Sequence, residues 1–163
     1  MESKTIKWGI IGLGKIANKF ATDLATIENA TLVAVASRSK ENAIEFAAKH
    51  KAKKAYGSYT DLVNDAGVDA IYIATPHSFH KEHTILCLKN KKAVLCEKPF
   101  AMNLQEVEEM LTVAKENNVL LMEALWTFFL PHYNYVLEVY KNEKLGKLKS
   151  LEADFGFYNE YDT

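Results

Sequence analysis

Cysteine is scarce in this chain, with only Cys87 and Cys96 among 163 residues. Two thiols so far apart in sequence cannot build a zinc site or a disulfide framework, and both lie in apolar stretches, so they read as reduced core thiols. Proline is limited to three residues, which mark local boundaries and form no linker. Neither sign of charge is in excess: 20 Lys and Arg stand against 21 Asp and Glu, a formal charge of -1. The basic residues are scattered, so neither nucleic acid nor a membrane surface is expected as a partner. No apolar run approaches the roughly 20 residues that span a bilayer. The opening MESKTIKWGI lacks a signal-peptide core and cleavage site, and a cytoplasmic location is the expectation. Repeats and low-complexity segments are absent too.

Against these absences stands a hydrophobic content of 48%, which at this length suits one compact domain with a short extension. Apolar segments rich in β-branched residues alternate with amphipathic segments of helical period, which is the sequence form of βαβ construction. Strands are expected at 6–11, 31–36, 69–74, 93–96 and 119–122, each nearly all apolar, as a sheet covered on both faces requires. Helices are expected after the glycine turn behind the first strand, over 41–50, 59–64 and 78–89, from Asn103 as N-cap, and from Pro131 to about residue 140. Ile16, Phe20, Leu24 and Ile27 should face the sheet from the first helix, and Leu104, Val107, Leu111 and Ala114 from the helix that Asn103 opens. Gly146 breaks the pattern, and residues 147–158 read as a strand that opens something new after the sheet is complete.

The string Gly12-Leu13-Gly14-Lys15-Ile16-Ala17 follows the first strand and opens the first helix, the setting in which G-x-G-x-x-G/A carries a mechanism. Gly12 allows the tight turn, Gly14 lets the backbone approach a pyrophosphate, and Ala17 is small enough for close helix-to-strand packing. The first helical residues, Lys15 and Ile16, lie where free N–H groups would meet the anion. NAD enzymes, and methyltransferases with a similar first turn, usually put a carboxylate at the end of the second strand; this chain has Ser37 and Arg38. A carboxylate repels a 2′-phosphate, whereas a serine hydroxyl donates to it and a guanidinium can form two parallel bonds. NADP is therefore expected, with NAD as the alternative.

Three further strings complete the pattern: Ala74-Thr75-Pro76-His77-Ser78-Phe79-His80, Glu97-Lys98-Pro99 and Glu123-Ala124-Leu125-Trp126. With the glycine turn, they resemble the Gfo/Idh/MocA oxidoreductases over nearly the whole chain. Within that family the last string is most similar to the dihydrodiol dehydrogenase and NADP-dependent xylose dehydrogenase group. The resemblance implies an α/β fold with a Rossmann-type doubly wound parallel sheet. Residues 1–125 would form the dinucleotide-binding domain, and 126–163 the connecting helix and first strand of a C-terminal α+β substrate domain. It also implies that Ala74, Thr75 and Pro76 lie along the cofactor near its nicotinamide end, with His80 at the matching histidine. Glu97 and Lys98 would contact substrate or nicotinamide ribose, with Lys98 the main catalytic candidate, and Trp126 would stack near the cofactor. Relatives commonly continue W-T-R-F where this chain reads Trp126-Thr127-Phe128-Phe129, so an arginine contact is missing. The family's catalytic domain should follow residue 163, so the chain alone is expected to bind cofactor without full turnover. Residues 151–158 resemble the first strand of the family's C-terminal sheet, where Asp154 and Phe155 would approach substrate; that strand would be disordered or pair with another chain, a homo-oligomer through it being one such outcome.

The reaction implied is hydride transfer between nicotinamide C4 and a carbinol or carbonyl carbon of a sugar, polyol or diol. Lys98 would stabilise a developing alkoxide, and Glu97 would position that ammonium by an ion pair or hydrogen bond. No metal is expected: the spacing of His77, His80 and His83 rotates successive side chains around a helix, so they would not converge on one ion. Two other functions share these motifs: a non-catalytic NADP-binding sensor or assembly module, and a bilin or imine reductase of the same family.

Overall fold

The structure is a computed structural model and describes residues 5–154, 156 and 158. It divides into two compact units, Met1–Ala124 and Leu125–Thr163.

Among its described residues the first unit holds six strands: β1 (Ile6–Ile11), β2 (Ala30–Ala36), β3 (Lys54–Tyr56), β4 (Ala70–Ile73), β5 (Ala93–Cys96) and β6 (Leu121–Glu123). All pairings are parallel, in the order β3-β2-β1-β4-β5-β6. The helices are α1 (Lys15–Leu24), α2 (Lys40–His50), α3 (Tyr59–Val63), α4 (His80–Lys89) and α5 (Leu104–Asn117). The chain runs outward from β1 through β2 to β3, then returns to lay β4 on the other side of β1. The loops leaving β1 and β4 therefore diverge, and such a sheet binds ligands at that divergence.

Alternation along the strands divides the core into two layers. Ile10 joins Val35 and Tyr72 beneath Ala17, Ala21 and Leu24 of α1, and Phe46 of α2 joins the same cluster. The next residue, Ile11, joins Ile71, Ile73 and Cys96 on the opposite face, with Leu62 of α3, Cys87 and Leu88 of α4, and Ala114 of α5. Residues as fully buried as Ile10, Ile71 and Leu88 each contribute about 1.5–3 kcal/mol relative to exposure. The two cysteines are free and buried, and burial raises both thiols above their ordinary range, Cys96 to about 12.

The expected strands and helices form with shifts of one or two residues at their ends, and four differences are informative. The sequence reading missed β3, a three-residue rim strand whose Lys54 and Tyr56 both bond Asp65, with Tyr56 only partly buried against the core. Facing α1, the buried stripe is Ala17, Ala21 and Leu24, whereas Ile16 and Ile27 are half exposed. Small residues let that helix approach the sheet closely, which turns the larger Ile16 outward. In α5 the buried residues are Met110 and Ala114, while Leu104 and Leu111 are exposed. Asn103 does cap that helix, accepting from Glu106 N at 3.0 Å, and Glu106 reaches back to Met102 N. The strand expected over 147–158 does not form among its described residues; Phe155 lies outside them. Strand geometry needs a neighbouring ladder, and apolar alternation alone does not supply one.

In the second unit, a 3₁₀ turn at Trp126–Phe129 leads into α6 (Pro131–Lys141), with Pro131 in its first turn as expected. Phe128 packs its ring against Phe129 and Tyr133. No helix among the described residues is long and apolar enough to cross a membrane.

Candidate cofactor site

The divergence of β1 and β4 is built on Gly12. Its φ is +83°, and a Cβ there would lie 2.5 Å from Thr75 N and 2.6 Å from the Ala74 carbonyl carbon. The β1–β4 ladder continues to this point, with Ala74 N donating to Ile11 O at 2.9 Å, so neither backbone can withdraw. Only glycine satisfies both the left-handed conformation and the close approach.

Gly14, two residues on, presents the opposite situation. It is the N-cap of α1 in extended conformation, and no protein atom lies within 4 Å of where its Cβ would be. Helices α2, α3 and α5 are capped by the side chains of Ser39, Ser58 and Asn103. Helix α1 has no side-chain cap and no acidic residue in its first turn. Unbonded N–H groups and the positive end of the helix dipole thus face an open space that a Cβ would partly fill, which fits a pyrophosphate.

Beside that helix end is a cleft of about 280 Å³. Its lining comes from Ile16 of α1; from Ala74, Thr75, Pro76 and His77 in the loop after β4; from His80 at the start of α4; and from Glu97 and Lys98 in the loop after β5. Thr75 is buried, with its hydroxyl 3.0 Å from His83 Nδ1. Burial lowers the His83 pKa, and the rings of Tyr59 and Phe79 pack against it. His80 is 1% exposed and has both ring nitrogens against backbone carbonyl oxygens. The loop after β5 turns through a cis Lys98–Pro99 peptide, and Phe100 N donates to Glu123 Oε1 at 3.0 Å.

At the end of β2, Ser37 and Arg38 line different clefts. Ser37 shares one with Leu13, Asn18, Asn42, Glu45 and Lys49, and its hydroxyl oxygen accepts from Ser39 N. The exposed Arg38 faces Tyr59, Thr75, Pro76, Phe79 and His83.

The glycine turn, the uncapped helix and the cleft lined by Lys98 lie at the switch point of a doubly wound sheet, the place where such sheets bind nucleotides. The model of the Gfo/Idh/MocA oxidoreductase family, described as having an NAD-binding Rossmann fold, matches residues 6–125. The chain belongs to this family. It is 45% identical over 154 residues to trans-1,2-dihydrobenzene-1,2-diol dehydrogenase of Mus musculus, covering 93% of this chain and 46% of that protein. The enzyme of the same name from Xenopus tropicalis is 41% identical over 152 residues, covering 92% and 46%. The structure of scyllo-inositol dehydrogenase from Lactobacillus casei with bound NAD(H) and scyllo-inositol superposes with a TM-score of 0.81 at 28% identity, covering 88% of this chain and 43% of that one. A 3-ketoreductase variant from Actinomadura kijaniata in complex with TDP-benzene and NADP gives 0.84 at 26% identity, covering 90% and 46%. The chain thus spans about half the length of the curated relatives it matches.

Of the candidate site residues, the structure gathers Ile16 of the helix start and Ala74, Thr75, Pro76, His80, Glu97 and Lys98 of the family strings around one cleft. Gly12, Gly14 and Lys15 form the turn and helix start, and Ala17 is fully buried. Trp126 belongs to the second unit and is more than half exposed there.

The expected link from Glu97 to the Lys98 ammonium needs correction. Glu97 Oε2 accepts from the Lys98 backbone N at 3.1 Å, and Oε1 accepts from the Tyr72 hydroxyl. Among the described residues no ion pair joins Glu97 to Lys98 Nζ. Adjacent side chains leave a strand end in opposite directions, so Glu97 turns inward under α1 while Lys98 turns out. Tyr72 was missed by sequence reading. Its ring is stacked on Phe20, with centroids 3.8 Å apart, and burial together with the Glu97 carboxylate raises its pKa. The available signal was a phenol in the otherwise apolar strand Ala70–Ile73, since a buried hydroxyl must find a partner.

Proposed function

We propose that residues 1–125 are the dinucleotide-binding domain of an NADP-preferring oxidoreductase acting on a diol, polyol or sugar, and that residues 126–163 open its substrate domain. The observation that carries this reading is the start of α1, where the open space over Gly14 and the uncapped N–H groups suit a pyrophosphate. The division of the chain between Ala124 and Leu125 supports the domain limits. The names of the similar proteins, a diol dehydrogenase and an inositol dehydrogenase, support the substrate class.

A bound nicotinamide supplies hydride exchange at its C4. This chain's own residues do the rest of the work. The α1 N-terminus holds the pyrophosphate, and Ile16 lends an apolar side chain to the lining of the cleft. The ammonium of Lys98, an exposed residue lining the cleft, holds a proton toward the substrate oxygen and offsets negative charge as it develops. Glu97 fixes the Lys98 backbone, and Tyr72 fixes Glu97. Arg38 supplies the bidentate donor for a 2′-phosphate, with the Ser37 hydroxyl next to it in sequence.

Parallel calorimetric titrations with NADPH and NADH at matched salt test this reading. Tighter NADPH binding is expected; equal affinities would remove the NADP preference, and binding of neither would remove the cofactor role.

A further inference from the structure

We infer that His80 is the positioning residue that pins the loop after β4 to the loop after β5, and that it does so with a proton on each ring nitrogen. The inference deepens the cofactor reading, and its functional half rests on that reading.

His80 Nδ1 lies 2.8 Å from the Pro99 carbonyl oxygen, and Nε2 lies 2.9 Å from the Thr75 carbonyl oxygen. A carbonyl oxygen can only accept, and a neutral imidazole has a single N–H. With one proton, a bare nitrogen lone pair would face an oxygen lone pair at hydrogen-bond distance, in a position only 1% exposed, where no bulk water can intervene. Two N–H donors remove the conflict. The acceptors belong to residues next to Pro76 and Lys98, so one ring joins the two loops that line the cleft.

Burial opposes the doubly protonated ring, and so does its place at the first residue of α4, the positive end of that helix. Two charge-assisted hydrogen bonds favour it, as does the Glu97 carboxylate lining the same cleft. The other charged or titratable groups around it are His77 and Lys98 in the cleft, Glu82 and His83 on α4, Arg38 beyond His83, and Glu123 beneath Phe100. His83 does not compete for the role, because burial favours its neutral form and its Nδ1 is bound to Thr75 Oγ1.

Loss of one ring proton forfeits either the Thr75 or the Pro99 bond and lets the loops part. A ligand held between them must then bring them back together, so affinity falls as pH rises. The test combines nitrogen-15 spectroscopy of the histidine rings with NADPH titration of the whole chain, from about pH 6 to 9. Both His80 nitrogens should show the N–H signature at neutral pH. The Kd for NADPH should rise about tenfold across the interval in which one signature is lost. His80→Gln, which can donate to one carbonyl only, should bind about tenfold more weakly and lose that pH step. A bare His80 nitrogen at neutral pH overturns the two-proton assignment, and a pH step that survives in His80→Gln overturns the positioning role. If native protein binds no dinucleotide at any pH, the cofactor reading fails instead, while the ring signals still decide the protonation of His80 independently.

Discussion

The two glycines of the turn make opposite predictions, and alanine at each separates folding from binding. At Gly12, a methyl group meets the Thr75 and Ala74 backbone at 2.5–2.7 Å, and φ is +83°. The left-handed conformation costs about 1–2 kcal/mol. Overpacking against backbone that is itself held in the β1–β4 ladder adds about 1–3 kcal/mol. Gly12→Ala should therefore lose about 2–5 kcal/mol, a large part of the ~5–15 kcal/mol that stabilises a domain. At about 2–4 °C per kcal/mol, its Tm should fall by roughly 10 °C. At Gly14 the methyl meets no protein atom, and φ is already -80°. The poorer N-cap costs about 0.5–1 kcal/mol, and the stiffer unfolded chain returns a similar amount. Gly14→Ala should thus unfold at the native urea midpoint yet bind NADPH at least tenfold more weakly, because the methyl occupies the pyrophosphate's place, about 1.4 kcal/mol or more. Urea unfolding and calorimetric titration of both variants measure the two effects. Unchanged NADPH affinity in Gly14→Ala would refute the reasoning, as would native stability in Gly12→Ala.

Arg38→Ala should weaken NADPH binding about tenfold and leave NADH binding unchanged, because only the former loses a guanidinium–phosphate contact; equal losses would show that Arg38 does not read the phosphate. Tyr72→Phe removes a hydrogen bond to a carboxylate and should cost about 1.5–3 kcal/mol in urea unfolding; no loss would mean that the Glu97 oxygen finds another donor. The Asp65 carboxyl is held below its usual range by its bonds to Lys54, Gly67 N and Tyr56. Its folded-state value is depressed, so its contribution is present above the unfolded value of about 4 and fades as pH falls below it. Asp65→Asn should therefore be less stable than native protein at neutral pH, with the gap closing in acid; a gap that persists at low pH would assign the loss to packing.

Much of this arrangement was legible because periodicity and turn chemistry agree. The β1–turn–α1 unit was readable from an apolar run, two glycines and a small residue at Ala17. The capped start of α5 was readable from Asn103. Residue faces were read less well. Leu104 and Leu111 satisfy a helical repeat, yet the face that packs is set by Met110 and Ala114, since neighbours in space decide which of two adjacent stripes is covered. The three residues of β3 carry too short a pattern to register at all. At the candidate site, the string Glu97-Lys98 was visible in the sequence but its wiring was not. That Glu97 turns toward Tyr72, and not toward the Lys98 ammonium, depends on a strand partner far away in sequence. The bridging geometry of His80 was hidden for the same reason, because Pro99 lies 19 residues ahead of it.

The placing of the site in the sheet sets which motions can reach it. β1 and β4 are inner strands, each paired on both sides, while the rims β3 and β6 are three residues each. Amide protons at the rims should exchange through small, frequent openings, and those of Ile10, Ile11 and Ile73 only when the whole domain unfolds. The glycine turn hangs from these slowest strands, so fraying at either rim leaves it shaped. Strands this short also offer little edge for a second sheet to extend, so the rims can loosen without inviting aggregation.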